Sequence, residues 1–178
     1  MPLDTPLPFG LRDVKVRPYG SAQSENVDLP NARTFTFSES EDFEELRGDD
    51  GVAAVHGNGP TVDWELEAGG VPLDAIKTMF GGTLTETGVT PNIKITFQKA
   101  ATDQRPYFTV EGQAISDSGG DFHVTLFRCR ATGELSGEMS DGAFWLTGAS
   151  GTALRDADNN DLVYEFVQNE SETDIVTV

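Results

Sequence analysis

Apolar and polar residues alternate with a period of two at several places along the chain. Val14 and Val16 stand between Asp13, Lys15 and Arg17, and Phe35 and Phe37 alternate with Thr34, Thr36 and Ser38, the pattern of half-buried antiparallel strands. Val52 to Val55, then Val62, Trp64 and Leu66, predict two more strands, with Gly57-Asn58-Gly59-Pro60 as the turn that joins them into a hairpin. On the second of these, Asp63, Glu65 and Glu67 must project opposite to Val62, Trp64 and Leu66, because successive side chains alternate across a sheet. Thr83–Thr85, Ile93/Ile95/Phe97, Tyr107–Ser116, Phe122–Arg130, Gly142–Gly148 and Leu162–Val167 read as further short strands rich in β-formers. In Phe122–Arg130 the apolar parity changes at Leu126-Phe127, which predicts a β-bulge that re-aims the strand.

One segment follows helical spacing, at about residues 72–80. Pro72 suits a first helical position, Asp74 complements the N-terminal dipole, and Gly81-Gly82 end the helix, while Leu73, Ile76 and Phe80 share a face that packs on the sheet. Gly20 to Asn31 is polar and turn-rich, a loop. Residues 39–50 hold seven acids against one Arg, with Phe43 and Leu46 spaced for one short helical turn inside an acidic loop. Pro2, Pro6, Pro8 and Gly10 make residues 1–10 an extended arm, and after Val167 a polar spacer leads to the β-prone tip Ile175-Val176-Thr177-Val178. The expected molecule is mainly β: a β-sandwich or barrel with one packed α-helix over residues 11–167, and extended terminal arms at 1–10 and 168–178.

Charge narrows the function. Thirty acidic against 12 basic residues give a net charge of −18 and a pI near 4.2, so a grip on nucleic-acid phosphates by Lys/Arg clusters is disfavoured. The same acidity also serves solubility, or life in a high-salt host. Cys129 is alone, so no intramolecular disulfide forms, and His56 and His123 do not complete a zinc set with it. The start lacks a secretory pattern and no run of about 18 apolar residues occurs, so the chain is expected to be made in the cytosol, with no membrane partner.

Catalytic chemistry is not signalled. Nucleophilic catalysis needs a base close to Ser or Cys, and the only two histidines lie within a strand (His123) and at a hairpin end (His56), while Gly148-Ala149-Ser150-Gly151 lacks the spacing of a nucleophile elbow. Asp156-Ala157-Asp158-Asn159-Asn160-Asp161 imitates the start of a calcium loop, but the glycine position holds Asp161 and the bidentate glutamate position holds Val167. A turn stabilised by Asp and Asn side chains explains it better. The sequence predicts no enzyme, no cofactor and no metal.

The order of features resembles the major tail proteins, or tail tube proteins, of long-tailed phages and related tailed viruses. It runs from an N-terminal arm through strands to the acidic segment ending Glu45-Leu46-Arg47-Gly48-Asp49-Asp50, then a hairpin, one helix and more strands. The passage Val62 to Gly82, strand then helix then paired glycines, carries most of the likeness. The resemblance implies a virion protein, assembled in the host cytoplasm, whose hexameric rings stack into a hollow tail tube through which the genome passes. Its partners would be itself and tail terminator, tape-measure and baseplate-type proteins, with DNA as passing cargo only.

Within that reading Asp63, Glu65 and Glu67 are candidates to line the lumen, or else face outward. Phe43, Glu44, Glu45, Leu46 and Arg47, with Ile175, Val176 and Val178, are candidates for ring stacking. Two other classes compete. A β-sandwich binding or capsid decoration module would present Trp64, Trp145 or Tyr107 as an aromatic platform, although Trp64 shares a face with Val62 and Leu66 and so reads as core. A cupin-like or lipocalin-like barrel would need a metal cluster or a roomy apolar pocket.

Overall fold

A computed structural model of the chain describes residues 5–176. Ten strands and one helix follow in the order β1 (Pro8–Pro18), β2 (Val27–Asp28), β3 (Ala32–Gly48), β4 (Gly51–Gly69), α1 (Leu73–Phe80), β5 (Thr83–Thr87), β6 (Lys94–Gln98), β7 (Phe108–Ser116), β8 (Asp121–Ala131), β9 (Leu146–Leu154) and β10 (Tyr164–Asn169). The fold is mainly β, an antiparallel sandwich with a single helix. Hydrogen bonding runs β2-β1-β7-β8-β9-β4-β3, with β10 also on β8, while β5 and β6 form a separate hairpin.

β8 is the corner of the structure. Asp121 to Leu126 pair with β10 and Arg128 to Ala131 with β9. Between them the register against β7 slips, Phe108 facing Cys129 but Val110 facing Leu126, which is the bulge that the parity change predicted. The sheet curls until β1 comes alongside β3, and the Phe35 ring then lies so close over Gly112 that a Cβ there would meet it at 2.6 Å.

The core lies inside this curl. Val14 and Val16 from β1, Val62, Trp64 and Leu66 from β4, Phe108 and Val110 from β7, and Leu126 and Cys129 from β8 are all buried. Trp64 meets Phe108 edge-on at 5.5 Å, an arrangement that adds to the area each ring buries. α1 contributes Ala75, Ile76, Met79 and Phe80. Pro72 sits at its N-cap, one position earlier than expected, and Gly81 ends it at φ 73° with its N–H on the Lys77 carbonyl. A Cβ on Gly81 would meet the Gln104 carbonyl oxygen at 2.7 Å, so both conformation and space require glycine.

Two expectations fail here, for one reason. Residues 39–50 are not a loop with a helical turn: they continue β3 to Gly48, and the chain reverses at Asp49-Asp50, because Gly48 pairs with Gly51. Gly57-Asn58-Gly59-Pro60 is not the turn of the hairpin but a bulge inside β4, where Pro60 faces Glu41 and Gly57 faces Phe43. Paired glycines flank two residues or one at both places, Gly48/Gly51 and Gly57/Gly59, and only the pairing across the ribbon decides which of them reverses the chain. Smaller differences are that Pro8 already belongs to β1, that the segment Gly20 to Asn31 contains a single 3-10 turn at Gln23–Glu25 and the short β2, and that the strand expected at Gly142–Gly148 runs from Leu146 to Leu154.

Candidate functional site

The most exposed regular structure is the outer half of the β3–β4 hairpin. β4 pairs with β9 only from Val62 to Gly69, so from Pro60 to Gly51 the two strands have only each other. Nine residue steps make this ribbon about 30 Å long. The bulge at its root is held by the Gly59 N–H, which donates to the Glu41 carboxylate at 3.2 Å, and the Phe43 ring lies over Gly57. Phe43, Leu46, Val52 and Val55 are all at least half exposed. Phe43 shares a face with Val55, and Leu46 shares the opposite face with Ala54. Arg47, the one cation here, pairs with Glu45 at 3.0 Å. A two-stranded ribbon without a hydrophobic face to rest on is marginal in water, and this one carries apolar side chains on both faces. The five stacking candidates Phe43 to Arg47 therefore all lie on a projecting strand near its tip.

Asp63, Glu65 and Glu67 lie where the alternation put them, on the face of β4 away from Trp64 and Leu66. Thr36 and Ser38 on β3 and Ser150 and Thr152 on β9 flank Asp63 and Glu65, and with Thr132 and Gly133 they form an open groove of about 490 Å³. Thr152 Oγ1 donates to Asp63 at 2.9 Å, and Arg33 pairs with Glu67 at 3.3 Å. The row through Ser38, Asp63 and Thr152 continues to Arg130 on β8. On β8 the Arg128 guanidinium lies 4.5 Å, and that of Arg130 5.2 Å, from the centre of the Tyr107 ring.

The C-terminal segment folds back on its own chain. Asp121, fully buried, accepts from the backbone N–H of Thr173 at 2.8 Å, from Asn169 at 2.8 Å, from His123 at 3.0 Å and from Gln113 at 2.6 Å. Burial opposes its charge, but the Thr173 amide, then Asn169, His123 and Gln113, outweigh that and hold the carboxyl at about 2. Gln113 also donates to the Thr173 carbonyl, and Asn26 to that of Val176. Ile175, a stacking candidate, is 4 % exposed within this same chain, whereas Val176 is 51 % exposed; Val178 lies outside the described residues. Beneath this strap runs a buried polar layer in which Arg17 pairs with Glu111 at 2.6 Å, with Asn26 and Gln23 also on that carboxylate. At the other terminus, Leu7 hydrogen-bonds with Ser116 and Asp117, and Phe9 pairs with Ile115 while 77 % exposed. The first four residues of the expected arm lie outside the described residues.

The remaining sequence candidates resolve into structural roles. Trp64 is buried in the core, Trp145 lies over Gly137, and Tyr107 is covered by arginine. At the calcium-like turn, the Tyr19 hydroxyl donates to Asp156 at 2.5 Å and Asp158 at 2.9 Å, and these contacts, with Asp156 foremost, raise the Tyr19 pKa. No cluster of three or more His, Cys, Asp or Glu side chains among the described residues could hold a metal, and no helix among them is long and apolar enough to cross a membrane. The sequence reading missed the Arg128–Tyr107–Arg130 cluster. Its signal was present, since a one-residue bulge before Arg128 sends Arg128 and Arg130 outward and Cys129 and Ala131 inward.

No family model matches the chain, and no curated protein does. Among solved structures, the cryo-EM structure of the anti-feeding prophage cap, described as a tube-terminating cap, aligns over 95% of this chain and 95% of its own with a TM-score of 0.48 and 10% sequence identity. At that level the likeness carries no functional weight.

Proposed function

We propose that this chain is a structural protein of a virus-type tail, and that it acts by assembling with copies of itself into stacked rings, hexameric as in the family its sequence resembles, around a hollow channel. The observation that carries the reading is the unsupported ribbon. Phe43, Leu46, Val52 and Val55 are left to water on a projection about 30 Å long, and burying each against another subunit contributes about 1.5–3 kcal/mol. The outer edge of β3 has no strand partner among the described residues, and a long open edge is the ordinary template for pairing with another chain. A contact between different surfaces of the same subunit closes into rings or propagates as a filament.

In such a tube the face bearing Asp63, Glu65 and Glu67 is the natural lining of the channel. Carboxylates repel phosphates, so a passing duplex does not adhere. Partners at the tube ends would be tail terminator, tape-measure and baseplate-type proteins. The test is to join Ser40 directly to Thr61, which face each other, through an Asn-Gly turn. The shortened protein keeps its melting temperature to within about 2 °C, since the ribbon supports nothing in its own body, and loses assembly. A shortened protein that assembles as the full chain does removes the main support for the reading.

A further inference from the structure

The charge of this molecule is unevenly placed. Residues 72–131 hold six acidic and six basic groups, so the whole net charge of −18 sits on the remainder. All the basic side chains that lack a carboxylate within 4.0 Å among the described residues fall in that neutral segment. In a chain with 30 acids, a guanidinium left without one is unexpected, and Arg105, Arg128 and Arg130 are all in that position. Arg128 and Arg130 share the Tyr107 ring, and Arg105 donates to the carbonyls of Ala131 and Gly133 at 2.9 and 2.5 Å.

We propose that the Arg128–Tyr107–Arg130 cluster is the receptor for the acidic hairpin tip of a second copy of this chain; this rests on the assembly reading above. The matching ligand is Glu44, Glu45, Asp49 and Asp50 on the exposed ribbon, where Arg47 is the one cation. A chain cannot satisfy its own receptor. β4 runs extended from Gly51 to Asp63, and Asp63 shares a row with Arg130, which holds the tip roughly 40 Å from the cluster. Tyr107 lies against both guanidiniums and Tyr19 against that of Arg128, 5.8 Å away, a pre-ordered arrangement that suits fork-like pairing with carboxylates. The surface is cationic and aromatic, so a nucleic-acid phosphate is the competing ligand. The size and sign of the ribbon charge favour the second copy.

Charge exchange tests this in the full-length protein, read by sedimentation and negative-stain microscopy. Arg128→Glu with Arg130→Glu raises the concentration needed for assembly at least tenfold, and so does Glu44→Arg with Glu45→Arg on the exposed ribbon, where folding is not at risk. Mixing the two reversed proteins, at a concentration where neither assembles alone, restores assembly, because each supplies the complement of the other. Reversed proteins that each assemble like the wild type overturn the inference and leave the assembly reading standing. A pair of arginine reversals that assembles normally but loses retention on DNA overturns it in favour of a phosphate site. A wild type that stays monomeric at every salt and concentration overturns both readings.

Discussion

Replacing Asp121 by Asn asks whether the C-terminal segment belongs to the chain that carries it. The carboxylate collects four donors, three on Oδ2 and one, from Asn169, on Oδ1. An amide keeps the shape, but whichever way it is turned its NH2 faces at least one of those donors. The depression of the carboxyl from 3.8 to about 2 corresponds to at most about 2.5 kcal/mol, which screening at the rim of the strap lowers to about 1–2 kcal/mol. One buried donor left without an acceptor adds about 1–2 kcal/mol. A total of about 2–4 kcal/mol lowers the melting temperature by roughly 5–12 °C in a protein of this size. Because the folded pKa is depressed, the wild-type contribution is complete above 3.8 and is lost as pH falls from there through about 2. Asp121→Asn therefore flattens the stability profile between pH 4 and pH 2. Melts across that range, with hydrogen exchange on residues 171–176, are the assay, and tail amides lose at least tenfold protection. A melting temperature within 2 °C of wild type and a still-protected tail would refute the latch.

Two further substitutions probe the framework. Glu111→Ala strands the buried Arg17 guanidinium, now 2.6 Å from its carboxylate, and lowers stability by about 3–5 kcal/mol in denaturant titrations, whereas replacing both residues with apolar side chains recovers most of it. Gly151→Val places a Cβ about where the Arg130 carbonyl oxygen stands, 2.1 Å away, and 2.7 Å from the Trp64 ring; backbone cannot yield there, so near-ultraviolet circular dichroism from Trp64 is lost together with more than about 3 kcal/mol.

The body of the fold was legible because burial on one face imposes alternation. Val14/Val16, Val62/Trp64/Leu66 and the Leu73/Ile76/Phe80 face all point inward or pack against the core as their periods required. The bulge of β8 was legible for the same reason, as a change of parity. The ribbon was legible only in its Val52–Val55 half, since a strand that buries neither face has no reason to alternate, and Phe43 and Leu46, three apart, imitate a helical turn. The carboxylate face on β4 could be read from its alternation with the core, but its neighbours could not, because Ser150, Thr152 and Thr132 arrive from segments that no local pattern brings there. Ile175 went the same way: its apolar tip was visible in sequence, while the polar layer of Gln113, Asp121 and Asn26 that draws the strap back is assembled from distant segments.

The central claim is that the chain is built to polymerise, and negative-stain electron microscopy of the concentrated full-length protein, over a range of salt that screens its −18 charge, tests it most directly. The account predicts stacked rings with an open channel, appearing more readily as salt rises. A monodisperse monomer at every salt and concentration would contradict it.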